Sequence, residues 1–292
     1  MIYKLLRKTF GTKEIVDLAR LDVPSLISDI CWVNDLGLVY STDRTLGLLT
    51  AKGEKIFPWK GDNLDDKLRD GNNPVFGYLS GLSYFEKLKI IFVAENGGRN
   101  IRAINLEEDY TSTLFKKQMA EIFSLMMKNV LVQSKVFIEG VGRDKVFIAS
   151  PDLRKCFFIN GSSISHIAGD GKCRFANGQN GATTSIGMPS GISSYNGKVL
   201  IADSFKNIIR SVDGNSINIL LGHPHDKILD EPSKLVVRNG VLYIQCKNSV
   251  RNNMLGKKVE EAKAIYESDN IVNIAADSEG GLYILEVDNA KS

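Results

Sequence analysis

His223-Pro224-His225 is the tightest grouping of metal-ligating side chains in the chain: the proline keeps the segment extended, and two imidazoles can turn to one side of it. A tetrahedral site takes three or four protein ligands. The third histidine, His166, lies far upstream, and no cysteine is obviously aligned with the pair. His223 and His225 are therefore weak metal candidates in a proline-stiffened loop. Three carboxylates, Glu95, Asp203 and Glu286, close apolar runs that resemble one another, and if they converged they would offer hard oxygen ligands to a divalent cation. Thr42, Ser150 and Cys246 stand at the matching ends of three further runs, so the acidic ring is incomplete. Accepting hydrogen bonds from backbone amides of the following turn is the simpler role for such acids. The glycine-rich loop Gly169 to Gly181 lacks the Gly-Lys-Ser/Thr ending of a phosphate cradle and opens no helix, and no serine sits in a Gly-x-Ser-x-Gly elbow. Catalysis is not indicated, and no cofactor is expected.

The runs that would position these residues are Leu38–Thr42, Ile91–Glu95, Val146–Ser150, Val199–Asp203, Val241–Cys246 and Leu282–Glu286. Each is short, rich in β-branched and aromatic residues, and preceded by a turn signal such as Asn196-Gly197 or Asn239-Gly240, the pattern of a buried strand. They recur about every 40 to 55 residues with further short strands between them, the mark of a β-propeller. Few residues follow the last run, whereas a long stretch precedes the first. The final unit must therefore borrow its outer strands from the N-terminus, where Ile2–Leu6 and Glu14–Leu18 are strand-like. The expected architecture is all-β: a single six-bladed propeller domain over 1–292 with four-stranded antiparallel blades, the last closed by residues 1–20 against 271–288. Closure of this kind removes the exposed sheet edges of an open array.

Within Ile167–Val212 the series Gly169-Asp170-Gly171, Asn177-Gly178, Pro189-Ser190-Gly191-Ile192, Ile201-Ala202-Asp203, Asn207 and Ile209-Arg210 resembles the NHL repeat. A looser copy runs through Gly61-Asp62, Asp70-Gly71, Ser80-Gly81-Leu82, Val93-Ala94-Glu95 and Ile101-Arg102. The other four units keep the hydrophobic strands and lose the signature, with Phe157 and Asn253 at the arginine position of the third and fifth. The resemblance implies a propeller fold rather than a reaction, because such propellers include protein-binding and RNA-binding modules and, more distantly, lyases and lactonases.

One segment departs from the strand pattern. Phe115, Met119, Ile122, Phe123, Met126 and Met127 recur at three- and four-residue steps, which predicts an inserted helix over 113–128. Its apolar stripe either packs on an outer blade edge or, through Met119 and Phe123, meets a partner.

In a propeller the turns after the repeated strands and the loops between blades emerge on one face. That face would gather Arg44, Arg99, Arg154 and Lys206 with interleaved acids such as Asp152, and Phe76, Phe175 and Phe205 as aromatic platforms. Bases beside stacking rings suit single-stranded RNA, but the acids weaken that case. The leading expectation is a non-catalytic protein-interaction platform within a larger assembly. The alternatives are a metal-dependent hydrolase or lyase of the lactonase-like type, and a single-stranded RNA-binding propeller.

The 292 residues are 43% hydrophobic, and 37 basic against 34 acidic side chains leave a net charge of +3. A mixed surface of this kind does not call for DNA. No run approaches the roughly 20 apolar residues of a membrane-spanning helix, and the N-terminus has no secretory pattern. Four scattered cysteines suit a reducing compartment, so a cytoplasmic location is expected.

Overall fold

The computed structural model describes all residues except 62–66, 115–130, 132, 162, 175–179, 226–227, 257–261 and 290–292. In chain order the strands begin with β1 (Ile2–Thr9) and β2 (Ile15–Asp22). Blade 1 follows as β3 (Asp29–Val33), β4 (Gly37–Ser41), β5 (Leu46–Thr50) and β6 (Lys55–Lys60), and blade 2 as β7 (Leu79–Phe85), β8 (Ile90–Glu95), β9 (Asn100–Asn105) and β10 (Tyr110–Thr113). Blade 3 comprises β11 (Phe137–Gly142), β12 (Lys145–Ser150), β13 (Lys155–Asn160) and β14 (Ser163–Ala168). Blade 4 comprises β15 (Pro189–Tyr195), β16 (Lys198–Asp203), β17 (Ile208–Asp213) and β18 (Ser216–Gly222). Blade 5 comprises β19 (Lys234–Arg238), β20 (Val241–Gln245), β21 (Ser249–Met254) and β22 (Lys263–Glu267). Blade 6 starts with β23 (Ile271–Ala276) and β24 (Gly281–Val287) and ends with the two N-terminal strands, in the order β23-β24-β1-β2. The protein is thus an all-β ring of six four-stranded antiparallel blades, with the last stitched from both chain ends.

The stitching is done by register. Leu5 stands opposite Leu285 and Tyr3 opposite Val287, so the apolar alternation of β1 continues that of β24. Two-residue turns hold the inner hairpins of blades 3, 4 and 5. At Asn196-Gly197 both residues have positive φ, as do Asn239-Gly240, the conformation that lets a tight turn follow the twist of its strands.

Six hydrophobic clusters fill the six gaps between neighbouring blades. Between blades 2 and 3, for instance, Ile90, Phe92 and Ile101 pack with Ile138, Val146 and Phe157. Between blades 6 and 1, Tyr3, Leu5 and Leu285 pack with Ile30, Leu38 and Tyr40. Each such side chain contributes about 1.5–3 kcal/mol when removed from water, and closure lets every blade bury both of its faces.

Close approach explains one glycine of the repeated signature. A Cβ on Gly81 would stand 2.6 Å from the Val136 carbonyl oxygen at the start of the neighbouring blade, so blade 3 can seat against β7 only if that side chain is missing.

The first residue of the expected inserted helix belongs to a strand instead. Thr113 is the last residue of β10, and both its N–H and its hydroxyl donate to Asp70, at 3.0 Å each. The Thr113 side chain thus ties the blade edge to the preceding loop. The remainder of the expected helix, with Met119 and Phe123, lies outside the described residues.

Candidate functional site

The innermost strand of every blade lines a central channel. Its two ends are distinguished by what connects the strands there. On the loop face lie the long connections between blades and the turns after β4, β8, β12, β16 and β20. On the opposite turn face lie the tight hairpins that leave β7, β11, β15 and β19.

The sequence candidates fall on the loop face, one blade at a time. Arg44 follows β4 with its guanidinium 4.9 Å from the centre of the Tyr78 ring. Arg99 leads into β9. In the turn after β12, Asp152 accepts a 2.6 Å hydrogen bond from the Ser134 hydroxyl, and Arg154 takes the left-handed backbone conformation. After β16, Phe205 is 58% exposed and the Lys206 ammonium lies 4.8 Å from its ring centre. These residues share a face without forming a single cluster. Of the two expected aromatic platforms among the described residues, Phe205 is open and Phe76 is not. Phe76 is buried beneath the Arg102 guanidinium, 5.3 Å from its ring centre, and Phe175 lies outside the described residues. Phe76 is drawn inward because its ring completes the cluster between blades 1 and 2.

The carboxylates at the strand ends turn inward to arginines seven positions on. Asp203 accepts from Arg210 Nε at 3.0 Å and from the Gly187 and Met188 N–H groups, also at 3.0 Å. Glu95 accepts from Arg102 Nη1 at 2.9 Å and from the Gly77 N–H at 3.2 Å. The amides they hold belong to the loop entering the blade rather than to the turn that follows, because the side chain folds back over its own inner hairpin. Burial pushes the Glu95 carboxyl up to about 6 despite Arg102. Glu286 accepts a 2.9 Å bond from the Tyr266 hydroxyl. His223 and His225 are exposed neighbours, with ring centroids 5.5 Å apart and a His225 N–H to His223 Nδ1 contact of 3.4 Å. Among the described residues, no group of three or more His, Cys, Asp or Glu side chains comes together in a metal-holding arrangement.

The densest polar chemistry is inside the channel, on residues that a reading of the repeated strands passes over. At the loop-face end Asp29 is almost wholly buried and takes four donors: the Lys234 ammonium, Asn273 Nδ2 at 2.9 Å, the Leu82 N–H at 2.8 Å and its own neighbour Ile30 N–H at 2.9 Å. One carboxylate thereby joins blades 1, 2, 5 and 6. Burial would raise the Asp29 carboxyl, but Lys234 and Lys135 overcome it and hold the group below its ordinary range. Lys135, just ahead of β11, lies 5.2 Å above the Phe137 ring. Its surroundings push its ammonium down against the pull of Asp29.

Two residues deeper in the matching register, Ser83 opposite Phe92, Glu139 opposite Phe147 and Ser193 opposite Leu200 form a second polar layer. Glu139 accepts from the Ser83 hydroxyl at 3.2 Å and from those of Ser193 and Ser194 at 3.3 Å each. Burial raises the Glu139 carboxyl, and Arg238 and Ser83 offset this only in part. Between the two layers the channel holds a cavity of about 50 Å³, whose wall runs from Asp29 and Lys234 at one end to Glu139 and Arg238 at the other.

The signal for this interior was present in the sequence: isolated charges inside otherwise apolar segments, as in Asp29-Ile30-Cys31-Trp32-Val33 and Lys234-Leu235-Val236-Val237-Arg238. Such charges are rarely left in a buried strand without a partner. Naming the partners required a register for the innermost strands, which were not the ones that repeat most clearly.

Ring, register and channel define a six-bladed β-propeller. No family model matches the chain, and no curated protein matches it either. Solved structures do. The chain is similar to one from a nidogen/laminin complex, at 13% identity and a TM-score of 0.57 over 98% of both chains. It is also similar to virginiamycin B lyase from Staphylococcus aureus, solved in a catalytically inactive form with quinupristin, at 12% identity and a TM-score of 0.55 over 98% of this chain and 99% of that one. An auxiliary nutrient binding protein from Bacteroides ovatus matches at 9% identity and a TM-score of 0.55, over 79% of this chain and 58% of that one. At these identities the likeness is one of fold, and the fold is common to a protein assembly and a lyase.

Proposed function

We propose that this chain is a non-catalytic recognition module of the diverged NHL type that binds a protein partner on its loop face. The observation that carries the reading is an arc of large exposed hydrophobic residues contributed by separate connections on that face. Leu26 is 62% exposed, Leu131 74% and Phe205 58%, and Met188, on the connection into blade 4, is exposed as well. Single exposed apolar residues are ordinary, but several spaced around one face beside cations suit the anchors of an interface. Similarity in fold to a chain from a nidogen/laminin complex is in keeping with a protein partner. The NHL-type reading is supported by the two buried acid–arginine pairs, Glu95–Arg102 and Asp203–Arg210, which occupy the positions of the repeated signature.

Photo-crosslinking tests this directly. A photoreactive residue at Phe205 or Leu26 is expected to capture a discrete protein in cells, while the same probe at Met254 on the turn face captures none. Capture should fall at least about tenfold when Met188→Ser is combined with the probe at Leu26, given that interface anchors cost about 1–2 kcal/mol or more when truncated. Equal capture from both faces, or RNA crosslinked at Arg99, Arg154 and Lys206 with no protein, would overturn the proposal.

A further inference from the structure

The turn-face mouth of the channel lies away from the proposed partner surface and is independent of it. It opens into a cavity of about 580 Å³, with Glu139 and Arg238 both in its wall. The two are close enough for Arg238 to be the strongest charge acting on Glu139, yet they form no direct ion pair. Glu139 is held in place by neutral donors from blades 2 and 4, Ser83 on one carboxylate oxygen and Ser193 and Ser194 on the other. Ser83 is itself fixed, because its oxygen accepts the Gly140 N–H at 3.0 Å. The Arg238 guanidinium donates from Nη1 to the Val237 carbonyl at 3.0 Å and has no carboxylate partner among the described residues. Opposite charges that share a cavity without pairing suit a molecule that carries both charges. Tyr84, Phe85, Val141 and Val237 add apolar surface to the wall, and Glu86 and Lys87 bring a second pair of opposite charges to it.

We propose that this mouth is a binding site for a free α-amino acid with an apolar side chain. The ligand's ammonium lies on Glu139 within reach of the serine hydroxyls, its carboxylate lies on Arg238, and its side chain lies against Tyr84, Val141 and Val237. A guanidinium is the natural partner for a carboxylate because two parallel N–H donors match its two oxygens. The cavity falls within the size range of small-molecule sites, and its mixed wall offers apolar surface beside fixed polar groups.

Titration calorimetry on the full chain tests the site, with L-leucine and L-phenylalanine as probes and 3-phenylpropanoate and phenethylamine as single-charge controls. Saturable binding of at least one of the amino acids is expected, with each control weaker by on the order of tenfold or more, since loss of a charge-assisted contact is worth about one decade or more. Arg238→Gln and Glu139→Gln should each weaken binding by a similar factor, while Lys247→Ala on the other face leaves it unchanged. If Arg238→Gln does not fold, Arg238→Lys serves instead: it keeps the charge, loses the paired donors and should still bind more weakly. Three results would overturn the proposal: no saturable binding of either amino acid up to about 10 mM, a range covering the weakest affinities of interest; phenylpropanoate or phenethylamine binding as tightly as phenylalanine; or amino-acid binding that ignores the Glu139 and Arg238 substitutions.

Discussion

The two ends of the channel use the same strands for opposite purposes. At the loop-face end, Asp29 is saturated by a lysine, an amide side chain and two backbone N–H groups drawn from four blades. At the turn-face end, Glu139 receives only hydroxyls, and the cation across from it remains separate. A carboxylate whose donors are all supplied by the fold, a cation among them, is a lock, because its charge is already answered from within. A carboxylate held by neutral hydroxyls keeps its charge uncompensated and is able to take a cation from outside. A polar group inside a propeller channel is therefore to be judged by who satisfies it rather than by how deeply it lies.

The sharpest way to break this contrast is to remove the lock. Asp29→Ala would leave Lys234 and Lys135 facing each other and would strand the Leu82 N–H and the Asn273 amide. The expected cost lies at the upper end of the roughly 3–5 kcal/mol for deleting one partner of a buried charge pair, measured by denaturant unfolding. A loss below about 1 kcal/mol would show that Asp29 does not tie the blades together.

The buried acid–arginine pairs offer the next largest effect and a comparison of their own. Asp203→Ala should cost about 3 kcal/mol, because Arg210 is wholly buried and loses that carboxylate, while the Gly187 and Met188 N–H groups lose their acceptor. Glu95→Ala should cost less, since Arg102 keeps a second carboxylate, Asp70, at 2.7 Å, and also donates to the Arg69 and Val75 carbonyls. Equal losses in the two variants, read from their unfolding midpoints, would mean that Asp70 provides no support.

What the sequence makes legible follows from what repeats. Strands such as Val199–Asp203 carry a dense apolar run between turn residues, so their number, spacing and closure over the N-terminus could be read directly, and the six blades follow. The positions of Arg44, Arg99, Arg154 and Phe205 on one face are legible for the same reason, being fixed by which end of a strand a turn leaves. The inward pairing of Asp203 with Arg210 was not, because a spacing of seven residues across a hairpin has meaning only once the two strands are in register. The channel was least legible of all. Asp29 meets Lys234 and Asn273 from blades far apart in sequence, and no local pattern records a contact that only ring closure creates. Phe76 misled for the opposite reason: an aromatic residue in a loop resembles a platform until the packing between blades claims it.

The smallest expected effect is the one that sharpens the contrast most, because it turns on sign. The Asp29 carboxyl is held below its ordinary range, so its contribution to stability is full above the unfolded value of 3.8 and is lost as pH falls through the lower folded value. The Glu139 carboxyl is raised, so its contribution is full below the unfolded value of 4.5 and is lost as pH rises through the higher folded value. Asp29→Asn should therefore remove stability at neutral pH and much less in acid. Glu139→Gln should cost less than about 1 kcal/mol at any pH, since the serine hydroxyls can still bond to an amide oxygen, and should abolish the decline of stability above pH 4.5. Unfolding curves for both variants collected across the acid range would read out the two slopes. Slopes of the same sign would mean that Glu139 is compensated by the fold as fully as Asp29 is, and the distinction between a lock and an open site would fail at its physical root.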